Sequence, residues 1–114
     1  MNAQEFTKIV DDQLNMCRNL LITKGKEYDS DSDDRLHSFK VAAEIQHTKP
    51  IQALAGMMAK HTVSIYDMCA ENSSNIDKWD EKITDSINYL LLLKSLIQEE
   101  FGAYEADYRE ETAI

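Results

Sequence analysis

Glu81, Asp85 and Asn88 recur at spacings of four and three, so a helix through them carries two carboxylates and an amide on one face. Oxygen ligands on successive turns, at the wet edge of a helical bundle, suit a hard cation such as Mg²⁺. The competing reading makes Glu81 and Asp85 ordinary early-turn acids that favour the helix dipole. Upstream, Lys60, Ser64 and Asp67 repeat at the same spacings. Beside them, His61 falls between Met58 and Ile65 on an apolar stripe. A lysine beside a metal-binding face is what a nucleotide phosphate would meet. A lone histidine on an apolar stripe is more often a hydrogen-bonded core residue, and Lys60 with Asp67 can be a solvated pair.

A third cluster is acidic. Asp29, Asp31 and Asp33 occupy positions one, three and five of a calcium-binding EF-hand loop. Asp34 then stands where the sharp turn needs glycine, and Lys40 where the bidentate glutamate belongs. The stretch therefore reads as a solvated acidic loop or lid. Lys24, Lys26, Arg35 and Lys40 flank it, placed either to contact phosphates or to balance the acids. Tyr28, Tyr66 and Trp79 are candidates for stacking on a base, and equally for core or rim. Cys17 and Cys69 lack zinc-type spacing and read as reduced, buried small hydrophobes.

Four helices must position these residues. Over 3–24, Phe6, Ile9, Val10, Leu14, Cys17, Leu20 and Leu21 form one stripe, and Gly25 is the stop signal. A loop over 25–34 leads to a second helix capped by Asp33 or Asp34, with Leu36, Phe39, Ala42, Ala43 and Ile45 inward. Pro50 opens a third helix, with Ile51, Leu54, Ala55, Met58, Thr62, Ile65 and Cys69 inward. Asp77 caps a fourth, which runs to Phe101 and ends at Gly102. No strand pattern or repeat is visible. The expectation is an all-α, four-helix bundle-like domain over 1–102, followed by a loose or partner-bound tail over 103–114. Leu91, Leu92, Leu93 and Leu96 point several ways around the fourth helix, which predicts a homo-oligomer.

Composition narrows the function classes. The 114 residues make one domain. Twelve Lys and Arg against 21 Asp and Glu give a net charge of −9, which argues against broad nucleic-acid binding. Such an acidic chain either holds divalent metal or imitates nucleic acid toward a basic partner. No apolar run approaches the ~18 residues of a membrane span. The first residues carry no secretory pattern, so the expectation is a cytoplasmic protein.

Three segments in order, KGKEYDSDSDDRLHSF, QALAGMMAKHTVSIYDM and WDEKITDSINYLLLLKSLI, resemble the MazG-like group of phage and prophage proteins. The likeness is greatest to the nucleotide-modification-associated branch of the all-α NTP pyrophosphohydrolase superfamily. It spans about residues 14–98. The resemblance implies a helical core that forms dimers or tetramers. It also implies Mg²⁺ between helices and cleavage of a nucleoside triphosphate to monophosphate and pyrophosphate. Glu81 and Asp85 fall on the metal-binding acids of the last core helix, and Asn88 on the polar position one turn later. Glu27 and the Lys60-His61 pair fall on polar positions that this branch tends to keep. Two of the family's four carboxylates are missing: Lys60-His61-Thr62-Val63-Ser64 replaces an acidic cluster, and Lys82 replaces a glutamate. Fewer anionic ligands mean weaker Mg²⁺ binding and less stabilisation of charge on the attacked phosphate.

The expected function is therefore metal-dependent nucleotide binding, with Mg²⁺ or Mn²⁺ on Glu81 and Asp85. Arg35, Lys60 and Asn88 would hold the nucleotide, and Glu27 or His61 would orient or deprotonate the water if hydrolysis occurs. The competing expectation is an acidic phage protein that inhibits a host defence or nucleic-acid enzyme through its basic surface.

Overall fold

The computed structural model describes residues 1–28 and 33–102, except for the side chains of 25–28. The described residues are all-helical: α1 (Ala3–Tyr28), α2 (His37–Gln46), α3 (Pro50–Glu71) and α4 (Ile76–Phe101). Each boundary has a local cause. Asn2 and Glu5 cap α1 reciprocally: Glu5 N–H donates to Asn2 Oδ1 at 2.8 Å and Asn2 N–H to Glu5 Oε2 at 3.2 Å. Pro50 opens α3, and Gln52 Oε1 accepts the Lys49 N–H. Asn75, rather than Asp77, caps α4, with Oδ1 accepting Lys78 N–H at 3.1 Å. His47 and Asn72 end α2 and α3 in the left-handed conformation. There Thr48 N–H reaches back to Ala43 O and Ser73 N–H to Met68 O, closing both helices.

The first helix passes through the expected stop at Gly25 and continues to Tyr28. A single glycine costs a helix about 1 kcal/mol, which the long flanking helix absorbs. Asp34 does not cap α2 in the usual way. Its Oδ1 accepts the Leu36 N–H at 3.0 Å, one residue before the helix begins.

The core lies among α2, α3 and α4. Leu36, Phe39, Leu54 and Leu96 form its buried centre, and Ile51, Met57, Tyr89, Leu92 and Leu93 pack around them. The inner face of α3 is rotated from the expected stripe: Ala53, Leu54 and Met68 are buried, whereas Ala55, Thr62 and Cys69 are exposed. Cys69 is thus not the buried thiol expected of it, although Cys17 is, at 1% exposure. On α2, Ile45 faces outward while Phe39 and Ala43 are buried.

Helix α1 packs chiefly on α4. Gln13 Nε2 donates to Thr84 Oγ1 at 2.8 Å, and Thr84 Oγ1 lies 3.2 Å from Met16 Sδ. N-terminal to this contact the apolar stripe of α1 is uncovered: Phe6 is 60% and Ile9 51% exposed, and Val10 and Leu14 are exposed too. On α4, Leu96 is buried, Leu92 and Leu93 are half-buried, and Leu90 and Leu91 are exposed.

Candidate functional site

Between α1, the start of α2, α3 and α4, a cavity of about 390 Å³ opens. That is within the size range of small-molecule sites. Leu20, Leu21 and Lys24 come from α1, Arg35 from the junction before α2, and Ser38 and Phe39 from α2. His61 comes from α3, and Asp85, Asn88, Tyr89 and Leu92 from α4. The wall is thus built by all four helices, and each contributes the face that the packing turns inward.

Five residues singled out in the sequence meet here: Lys24, Arg35, His61, Asp85 and Asn88. His61 and Asp85 are a turn-to-turn pair across α3 and α4, with Nδ1 3.7 Å from Asp85 Oδ2. This is too long for a hydrogen bond, and His61 Nδ1 has no hydrogen-bond partner although buried. The His61 ring tilts against Tyr89, with ring centroids 5.2 Å apart. Asn88 is 7% exposed, and its Oδ1 is also buried without a hydrogen-bond partner. Leaving such an atom unpaired costs about 1–3 kcal/mol, and two cavity-lining residues each carry one. Arg35 donates from Nη2 to the Leu21 carbonyl at 3.4 Å, which ties it to the α1 wall.

The other expected residues are placed differently. Glu81 is exposed one turn before Asp85 and does not line the cavity. Lys60 is exposed next to His61 and also lies outside the lining. The Glu27 side chain is outside the described residues, as are the Lys26 and Tyr28 side chains, residues 29–32 of the acidic segment, and 103–114. Of the aromatic residues proposed for stacking, Tyr66 is 71% exposed, and Trp79 donates from Nε1 to Ser73 O at 2.8 Å away from the cavity. Phe39 and Tyr89 supply the aromatic lining instead. The sequence pattern places Phe39 in the core and assigns Tyr89 no role at the site. A signal existed in the Asn-Tyr pair at 88–89, since two adjacent helix positions can border the same cavity.

Magnesium is the metal that the resemblance implies. Among the described residues, no group of three or more His, Cys, Asp or Glu converges as a metal cage. Magnesium, however, is usually held by one or two carboxylates plus substrate phosphates. Asp85 at the cavity wall, with Glu81 one turn away, fits that partial donor set. The third helix offers imidazole and no carboxylate at this point, so the ligands on its side differ from the family's.

Comparison with known proteins adds no relative: no family model matches the chain, and neither a curated protein nor a solved structure matches it.

Proposed function

We propose that the four-helix cavity binds a nucleotide, with the phosphates toward Lys24 and Arg35 and the base toward Phe39 and Tyr89. One observation supports this most: in a chain of net charge −9, a single cavity gathers two cations, aromatic rings and the buried, unpaired Asn88 Oδ1. The cations favour an anion, the rings accept a flat apolar surface, and the amide accepts one directional hydrogen bond. Asp85 in the cavity wall would hold Mg²⁺ or Mn²⁺ that arrives with the phosphates, with exposed Glu81 one turn away as a second carboxylate, and Lys60 would meet phosphate oxygens that extend beyond the cavity. Such an ion, when bound, would neutralise phosphate charge and make its bound water more acidic. His61, beside Asp85, orients the water that attacks phosphorus, and Glu27 is the second candidate for that role. That attack breaks the P–O bond between the α- and β-phosphates, so the triphosphate leaves as a monophosphate and pyrophosphate.

The homo-oligomer belongs to the same reading. The exposed Phe6, Ile9, Val10 and Leu14 form one apolar stripe along α1 that a second copy of the chain would cover.

Calorimetry with a panel of nucleoside triphosphates, with and without Mg²⁺ or Mn²⁺, tests binding, and pyrophosphate release on the same samples tests activity. The expected result is binding that Glu81→Gln with Asp85→Asn reduces only in the presence of metal. An imidazole beside the carboxylate favours Mn²⁺ or Co²⁺ over Mg²⁺, so His61→Ala should blunt that preference at constant folded fraction. Unchanged metal affinity in the double variant would remove the metal assignment. Absence of nucleotide binding under all conditions, with salt-sensitive capture of a basic host protein, would replace this reading with the inhibitor.

A further inference from the structure

We infer that Lys40 is a positioning residue for the cavity: through Asp34 and Glu99 it fixes the junction that carries Arg35 to the cavity wall. The inference rests on the reading of this cavity as an anion-binding site.

Three observations place Lys40 in that role. Its Nζ donates to Asp34 Oδ2 at 2.5 Å, and also to Glu99 Oε1. Asp34 uses its other oxygen to accept the Leu36 N–H, and its main-chain carbonyl accepts the His37 N–H at 3.1 Å. Arg35 therefore sits between a residue held at three points and Leu36, which is buried in the core. From there its guanidinium reaches the Leu21 carbonyl and the cavity.

The arrangement is better suited to aiming than to stabilising. The side chains of Lys40, Asp34 and Glu99 are 37%, 37% and 49% exposed. Ion pairs this exposed contribute little to global stability. Their geometry is informative nonetheless, because the three groups come from three separate segments: the junction, α2 and the C-terminal turn of α4. One ammonium on α2, with three donors, can hold the other two segments at once, and no carboxylate at position 40 could do so. An arginine that must meet a phosphate bidentately depends on such support, since its value lies in a fixed planar fork. Lys40 touches no cavity surface and acts only through the neighbours of Arg35.

The test uses the full chain, inorganic tripolyphosphate as the anion probe, and NMR of the Arg35 Nε–H, with exposed Arg18 as the reference for a mobile guanidinium. Lys40→Met should weaken tripolyphosphate binding about tenfold and bring the heteronuclear NOE of Arg35 down to that of Arg18. Lys40→Arg should restore both, and Glu99→Gln should produce a smaller loss in the same direction. In an Arg35→Ala background, Lys40→Met should have no further effect on affinity. A general loss of structure would instead lower affinity in either background. Retained order of Arg35 in Lys40→Met overturns the positioning role, whatever the affinities. Wild-type protein that binds neither tripolyphosphate nor nucleotide overturns the cavity reading, and the Arg35 signal still decides whether Lys40 positions it.

Discussion

The two sides of α4 meet different neighbours. Toward α2 and α3 it presents Tyr89, Leu92, Leu93 and Leu96 to a cluster centred on Leu54, which is 0% exposed. Toward α1 it presents Thr84 and Asn88, and α1 answers with Gln13, Met16 and Cys17. The first contact is interchangeable hydrocarbon, stabilised in proportion to the area it removes from water. The second is a short chain of directional contacts that fixes the register of one helix on another and leaves a polar cavity at its end. The difference separates two tasks: α2, α3 and α4 supply most of the folding energy, and the α1–α4 contact places the chemistry.

The sharpest way to break that division is to remove core volume. Leu54→Ala should cost about 2–5 kcal/mol, read as a fall in the urea midpoint, whereas Leu14→Ala should stay within about 0.5 kcal/mol in dilute solution. Equal losses would show that α1 shares the core. Next in size, Thr84→Val should cost about 1 kcal/mol by removing the Gln13–Thr84 hydrogen bond, which leaves the Gln13 amide only its contact with Cys17 Sγ. Adding Gln13→Leu should recover most of the loss, as expected where a polar contact serves register. Smaller in energy but distinct in outcome, Phe6→Glu with Ile9→Glu should turn a light-scattering dimer into a monomer without changing the helical signal. A wild-type monomer at micromolar concentration would leave the exposed stripe of α1 without a self-partner.

The smallest expected effect is electrostatic. The hydrogen bond from Lys40, and then that from the Leu36 N–H, hold the Asp34 carboxyl below its ordinary value. A carboxyl lowered in the folded state adds stability above its unfolded pKa, and that stability is lost as pH falls through the folded value. Lys40→Met should therefore make thermal stability less dependent on pH in the acid range below about 4. Asp34 and Glu99 likewise raise Lys40. That contribution is complete below the unfolded lysine pKa and disappears as pH climbs through the folded one, so the variant should also flatten the alkaline limb. An unchanged profile at both extremes would dissociate the ion pairs from the folded state in solution.

The helices themselves were legible because their signals are local. Pro50 and Gly102 mark ends that chain chemistry alone enforces, and the periodicity of α1 and α4 is long enough to read. The rotation of α3 was not legible. Its sequence is apolar on several sides, so Ala53 or Ala55, and Met68 or Cys69, could each have been inward, and only the position of α4 decides between them. The candidate site was half legible for the same reason. Asp85 and Asn88 share a face by spacing, but Glu81 is one turn too early to enter the cavity. The convergence of Arg35 and His61 with them depends on how three other helices pack. The sequence shows Lys40 as a residue that breaks a calcium loop and as a cation beside the acids, but its pairing with Glu99 is hidden because Glu99 lies 59 positions away.

Trp79 is the only tryptophan in the chain, and its indole N–H is hydrogen-bonded to Ser73 in the turn between α3 and α4. The protein thus carries a single indole fluorophore, attached to its helical hairpin and outside the cavity lining. Its emission should report the opening of that hairpin during unfolding, uncomplicated by other indoles. It should stay nearly constant while a ligand fills the cavity, so a tyrosine signal from Tyr89 is the optical probe suited to binding.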